Sequence, residues 1–167
     1  MLRFETAIGT CGVRWSERGL TSVLLPGSRP LERALPSSGT VPTGVVEAVH
    51  AMTALLAGEQ RDLTHVELDP TGIDDFRQAV YDATRAVAPG ETVTYGEIAR
   101  AVGDPHAARA VGAALGSNPY PIVVPCHRVL AANGALHGFS APGGIVTKRR
   151  MLEIECAPGF TQVALFQ

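Results

Sequence analysis

At 167 residues the chain is long enough for one sizeable core or two small lobes, and its formal net charge of −2 on its face weakens any nucleic-acid reading, since phosphate binding normally leaves a basic footprint. Its three cysteines, Cys11, Cys126 and Cys156, are odd in number and lack C-x-x-C spacing, which indicates neither a disulfide framework nor a zinc site and points to a reducing compartment. No charged-then-apolar leader opens it and no apolar run nears the roughly 18 residues of a membrane span, so the expectation is a soluble, cytoplasmic protein with no membrane association.

Residues 2–25 alternate short β-like runs with glycine breaks, around 3–6, 12–15 and 20–25, the pattern of a small antiparallel meander. Residues 26–42, rich in Pro, Gly and Ser, read as a loop. Apolar side chains at 45, 48, 49, 52, 55 and 56 share one helical face, and Gly58 closes that helix. His50 and His65 read as lone surface or core histidines. A second helix is predicted over 73–87, with Phe76, Val80, Ala83, Thr84 and Val87 on one face and Pro89-Gly90 ending it. A short helix over 95–102 is started by the capping box of Thr94 and Glu97 and stopped by Gly103. Asp104 is the candidate cap of the next helix, with Pro105 at its first position and an end near Leu115. Two short helices joined by a tight Gly-Asp turn make a helix-turn-helix candidate, a unit also common in purely structural roles. A last helix is expected from Gly144 to near Glu155, and residues 157–167 form an apolar tail expected to pack on the N-terminal lobe. The expected architecture is mixed α/β of the α+β kind. An N-terminal domain over 1–70 holds the meander and a helix, and a mostly helical domain over 71–167 holds the helix-turn-helix and an active-site loop.

The basic residues are unevenly placed. From residue 71 onward eight basic side chains match eight acidic ones, while the first seventy residues hold six and eight. In the second half they cluster at Arg100, Arg109, Arg128 and Lys148-Arg149-Arg150, the groups expected to give weak, salt-sensitive phosphate contact. Only one of the fourteen basic residues is lysine, which reads as the bias of a GC-rich genome. The second helix of the helix-turn-helix is nearly all small, Ala107, Ala108, Ala110, Val111, Gly112, Ala113 and Ala114, with Arg109 its only long side chain. Major-groove reading needs several long polar side chains. A small-faced helix suits close approach to a narrow minor groove, or close packing inside the protein. A single arginine on such a face suits insertion into a base stack, whereas a packed helix would place it at the rim.

The segment that carries chemistry is Pro125-Cys126-His127-Arg128-Val129, entered through Pro121-Ile122-Val123-Val124. A cysteine after such a run is most often a core residue. As a nucleophile it needs its pKa, ordinarily about 8.5, lowered by a histidine, a cation or a helix N-terminus, and this neighbourhood offers all three. Neighbours on a strand face opposite sides, so cooperation between Cys126 and His127 requires a turn or a bridging water.

Tyr95, Ala107-Ala108-Arg109-Ala110-Val111-Gly112, Asn118-Pro119, residues 121–129, Gly143-Gly144 and residues 148–155 together resemble the O6-alkylguanine-DNA alkyltransferases, over roughly residues 73–155. The first seventy residues are compatible with that family's variable N-terminal domain and carry nothing diagnostic. The resemblance implies an irreversible, SN2-like transfer of an alkyl group from O6-alkylguanine in duplex DNA, with O4-alkylthymine as a further candidate, to Cys126. It implies that His127 takes the Cys126 proton through a water and that Glu155, in the family register where Glu153 is not, holds the resulting imidazolium. Asn118 would brace the turn that carries the cysteine, which its Asn-Pro context also supports, and Tyr95 would donate to the guanine ring. Arg109 would fill the gap left by the rotated nucleotide, with Ala107, Ala108, Gly112 and Arg128 also at the DNA. Pro121, the backbone of Val129, Phe139 and Ser140 would receive the extruded base. The thioether product implies one turnover per molecule, with no cofactor, no metal, and a monomer in the absence of DNA. Two departures bear on substrate range: Ala141-Pro142 lengthens the loop before Gly143-Gly144, and Phe139 stands where many relatives have tyrosine. The competing readings are a lesion-binding module without repair activity, whose members lack the acceptor cysteine, and a cysteine hydrolase, which would turn over.

Overall fold

Glycines set the strand breaks of the N-terminal sheet in the computed structural model, which describes residues 1–33 and 39–161. Strands β1 (Leu2–Thr6), β2 (Gly9–Ser16) and β3 (Gly19–Leu24) pair antiparallel in the order β1-β2-β3. At Gly19 the backbone has φ 138°, and a Cβ there would lie 2.5 Å from the Glu67 carbonyl oxygen, so only glycine fits where β3 enters the sheet. The region expected to be a loop holds a short helix, α1 (Arg29–Arg33), with Leu31 buried; residues 34–38 lie outside the described residues. Helix α2 (Thr43–Leu56) buries Val45, Ala48, Val49, Met52, Leu55 and Leu56, the six positions its spacing singles out. They pack with Cys11, Val13, Leu20 and Val23 of the sheet, and the same cluster takes in Ile122, Val123 and Met151. The approach to Cys126 is thus anchored in the N-terminal core. The Val23 N–H also donates to the Pro119 carbonyl at 2.8 Å, and the Tyr120 hydroxyl donates to the Asp69 carbonyl.

The second apolar cluster is built by α3 (Asp75–Arg85), α4 (Tyr95–Ala101) and α5 (Ala108–Gly116). Asp74 caps α3 by accepting the Arg77 N–H at 2.9 Å. Phe76, expected on the apolar face of α3, is 36% exposed, and Tyr81 is buried instead. Its hydroxyl donates to the Ala114 carbonyl at 3.0 Å, which lets the ring enter the core without stranding a polar group. The capping box opens α4 with both reciprocal bonds present. At α5 the structure corrects the expectation. The helix begins at Ala108 with Ala107 as N-cap and no side-chain cap, because Asp104 accepts the His106 N–H at 3.0 Å and its carbonyl accepts the Ala107 N–H. A separate turn containing Pro105 is closed before the helix starts.

Strands β4 (Val93–Thr94) and β5 (Val129–Leu130) pair in parallel, with Val93 opposite Val129, tying the start of α4 to the residues just after Cys126. Helix α6 (Gly144–Ile154) ends at Glu155. The tail turns back at Cys156, φ 53°, and the Ala157 N–H donates to the Leu152 carbonyl at 3.0 Å. Ala157 and Phe160 therefore join Leu130, Leu136 and Leu152 instead of covering the N-terminal lobe, and residues 162–167 lie outside the described residues. Among the described residues no helix is long and apolar enough to cross a membrane.

Candidate active site

A strained, clasped loop presents Cys126. Ile122 adopts φ 76°, a left-handed conformation that costs a β-branched residue about 1–3 kcal/mol, and its side chain is buried in the first cluster. Pro125, at φ −80° and ψ 64°, is the centre of an inverse γ-turn in which the Cys126 N–H donates to the Val124 carbonyl at 2.8 Å. Asn118 clasps the loop from both sides: its Nδ2 donates to the Val124 carbonyl at 2.9 Å and its Oδ1 accepts the Tyr120 N–H at 2.8 Å. Asn118→Ala removes both bonds and leaves the Tyr120 N–H without its partner, while the Val124 carbonyl keeps the Cys126 N–H, so a loss of about 2 kcal/mol is expected. Urea denaturation would read it, and an unchanged midpoint would show that the loop stands without the clasp.

Cys126, His127 and Arg128 form one 3-10 turn, which resolves the problem of adjacency by sending successive side chains in different directions. Cys126 lines a cavity of about 340 Å³, while His127 and Arg128 both turn inward to Glu155. His127 Nε2 lies 2.8 Å from Glu155 Oε1. Arg128 donates from Nη2 to Oε1 at 2.8 Å and from Nε to Oε2 at 2.9 Å, and from Nη1 to the Val87 carbonyl at 2.6 Å. The Gly90 N–H reaches Oε2 at 3.4 Å. Burial opposes ionisation of Glu155, but its bonds to His127 and the Arg128 charge outweigh burial and hold the carboxyl at about 2. An ionised carboxylate can only accept. Nε2 of His127 therefore carries the proton, and Nδ1, buried with no hydrogen-bond partner among the described residues, presents a lone pair. Burial pushes the His127 pKa down despite Glu155, so the imidazole rests neutral, in the form that accepts a proton.

Burial pushes the Cys126 thiol up, against the opposing hydrogen bond from Asn118, the charge of Lys148 and local backbone N–H groups. The sulfur therefore rests as a thiol, and the three helpers offset its desolvation only in part. Lys148 is the cation among them. It is buried, donates to the Val129 carbonyl at 2.6 Å and the His137 carbonyl at 3.2 Å, and lies 5.8 Å from the Tyr95 ring centroid. Burial lowers its pKa to about 8. The Tyr95 hydroxyl donates to the same His137 carbonyl at 3.1 Å, and burial, with the Cys126 sulfur second, keeps it above its ordinary range.

The structure brings Asn118, Pro121, Cys126, Phe139 and Ser140 to one cavity, with the Ser140 hydroxyl donating to the Gly116 carbonyl at 2.6 Å. Val129 is fully buried in the second cluster, and its carbonyl is held by Lys148. Tyr95, Ala108, Arg109 and Gly112 line a separate open groove of about 650 Å³ with Arg100. Three expectations are corrected. Arg128 is buried and bound on both edges of its guanidinium, so it meets no phosphate. Lys148 is likewise inside, leaving Arg149 and Arg150 as the exposed members of that cluster. Ala107 is buried in the second cluster at the foot of α5, not on the groove. Sequence reasoning missed the role of Lys148; the signal that could have found it is that it is the single lysine of a chain that otherwise uses arginine, which reads there as genome bias. Among the described residues no three His, Cys, Asp or Glu side chains come together as a metal site.

Residues 75–157 match the family described as 6-O-methylguanine DNA methyltransferase, DNA binding domain. A methylated-DNA–protein-cysteine methyltransferase of Mycobacterium tuberculosis is 48% identical over 119 residues, 71% of this chain and 70% of that one. Its counterpart in Methanosarcina acetivorans is 39% identical over 154 residues, 91% of this chain and 95% of that one. Among solved structures, Mycobacterium tuberculosis OGT in complex with DNA matches with a TM-score of 0.76 at 39% identity, covering 95% of this chain and 94% of that one. The O6-methylguanine-DNA methyltransferase of Pyrococcus kodakaraensis matches with a TM-score of 0.66 at 28% identity, covering 92% and 96%.

Proposed function

The chain belongs to the 6-O-methylguanine DNA methyltransferase family, and on that premise we propose that it repairs duplex DNA by moving the alkyl group of an O6-alkylguanine, or of an O4-alkylthymine, onto Cys126. The observation that carries this reading is a thiol on the wall of a cavity, one residue from a neutral histidine whose free nitrogen is fixed as a base by a buried, ionised Glu155. His127 takes the thiol proton through a water as the sulfur attacks the alkyl carbon. The carbon–O6 bond breaks, its electron pair stays on O6, and the departing guanine takes up a proton with Tyr95 as donor. The thioether has no route back, so each molecule acts once.

DNA is the partner, and residues 71–167 supply both the contact and the chemistry, residues 1–70 forming a second domain. The groove lined by Ala108, Gly112, Arg100 and Arg109 supports minor-groove docking, because the small side chains leave room for a backbone while exposed Arg109 reaches out of the helix. Arg109 replaces the extruded nucleotide in the stack, and the second lone pair of the Val129 carbonyl serves the extruded base. The protein works as a cytoplasmic monomer until it meets DNA. A lesion-binding module without repair activity is disfavoured by Cys126 and by relatives that are themselves methyltransferases.

The test is a duplex bearing one O6-methylguanine, with intact mass and peptide mapping as readouts. One methyl on Cys126, stopping at one equivalent, is expected; product beyond one equivalent would point to a hydrolase, and no gain would overturn the proposal. In Arg109→Ala, transfer from the duplex should fall about tenfold or more, and transfer from the free modified base, which needs no extrusion, should fall less. Equal losses would remove Arg109 from extrusion.

A further inference from the structure

The cavity that reaches Cys126 is not closed by the C-terminal loop alone. Arg14, Ser22 and Ser28 of the N-terminal lobe line it together with Cys126 and with Ala141 and Pro142 of the lengthened loop. Arg14 and Ser22 are directly paired across β2 and β3, so their side chains stand on the same face of the sheet. Pro142 meets the turn that follows β3: a Cβ at Gly27 would lie 3.3 Å from the Pro142 Cβ. The two-residue extension thus reaches the N-terminal lobe beside the cavity.

The polar groups that the N-terminal lobe brings to the lining are unused by the fold. Ser22 Oγ and Ser28 Oγ are buried with no hydrogen-bond partner among the described residues, a situation that costs about 1–3 kcal/mol per group. Arg14 is exposed and takes part in no ion pair among the described residues, and it is the one charged residue of the lining. A methyl group on O6 calls on none of these three. A short alkyl chain ending in a carboxylate calls on all of them: the carboxylate only accepts, and a guanidinium with two hydroxyls offers donors alone or by rotation.

We propose that the N-terminal lobe is the specificity wall of the reactive cavity and that Arg14, with Ser22 and Ser28, receives carboxyl-ended adducts of guanine O6 such as the carboxymethyl group. This rests on the alkyl-transfer reading. In the step itself the Cys126 sulfur bonds to the methylene carbon as the carbon–O6 bond breaks, the electron pair stays on O6, the guanine takes a proton, and the carboxylate keeps its charge throughout. Arg14 acts on which adduct is accepted, not on the bond that is broken.

The experiment compares single-turnover transfer by intact mass from three duplexes, carrying O6-methyl-, O6-(2-hydroxyethyl)- or O6-carboxymethylguanine. The readout is a rate ratio within each protein, so it is independent of the folded fraction. In Arg14→Gln the carboxymethyl-to-methyl ratio should fall roughly tenfold, with the hydroxyethyl-to-methyl ratio unmoved, and Arg14→Lys should recover part of the loss. The pair Ser22→Ala with Ser28→Ala should lower both ratios. An Arg14→Gln ratio equal to that of the unsubstituted protein, or an unsubstituted protein that moves methyl but no carboxymethyl, would overturn the proposal. Failure of the unsubstituted protein to move even methyl would instead overturn the transfer reading on which it rests.

Discussion

Cys126→Ser is expected to lose alkyl transfer by a factor on the order of 10⁴ or more while staying folded and able to hold lesion-bearing DNA. The oxygen nucleophile is harder and far less acidic than sulfur, and His127, kept below its ordinary pKa by burial, is too weak a base to ionise an alcohol. The serine hydroxyl still meets the Asn118 side chain that hydrogen-bonds the native sulfur, so the loop should lose no more than about 1 kcal/mol. The groove at Arg109 proposed to dock DNA does not include Cys126, so binding should persist. Intact mass and fluorescence anisotropy on the same duplex would separate the two effects. A methyl gain that persists in the variant would transfer the acceptor role to another thiol. Cys11 is a poor candidate, since burial raises it to about 11, and Cys156 is exposed and outside the cavity lining.

The meander, the capping box at Thr94 and the six-residue face of α2 were legible because each is a local pattern, with strand period, helix period or cap chemistry written in adjacent residues. The cysteine segment was legible as chemistry for a similar reason, and the Asn-Pro pair as a brace. What the sequence concealed is direction. Arg128 reads in the sequence as one of the basic groups available to phosphate, yet the 3-10 turn aims it inward, and only the fold brings Glu155 within bidentate reach. The two-residue strands β4 and β5 are too short to show any period. Arg14 carries no local signal, because the cavity it borders is formed with a loop more than a hundred positions away. The extra residues Ala141-Pro142 were visible, but their meaning depended on a contact with Gly27 that no local pattern encodes.

Glu155→Gln should be the most destabilising polar substitution in the site. It leaves the Arg128 guanidinium buried without its countercharge, at an expected cost of about 3–5 kcal/mol, a large share of a typical domain's stability. Its amide can also turn its NH₂ toward His127 Nε2, forcing the proton onto Nδ1 and abolishing the base, so transfer should fall on the order of 10³-fold. The pH dependence separates these roles. The folded-state pKa of Glu155 is about 2 against an ordinary 4.5; because it is depressed, its stabilisation is complete above 4.5 and is lost as pH falls through the interval down to about 2. The His127 pKa is also depressed, from 6.5, so the unfolded chain binds a proton that the folded one refuses, and stability begins to drop below 6.5. Urea titrations from neutral to acid pH should therefore show two successive losses in the native protein. Glu155→Gln should begin from a lower value, keep the loss that starts near 6.5 and lose less below 4.5, where Asp69, also held at about 2, still titrates; curves that run parallel throughout would show that Glu155 is not the group whose ionisation holds this core together.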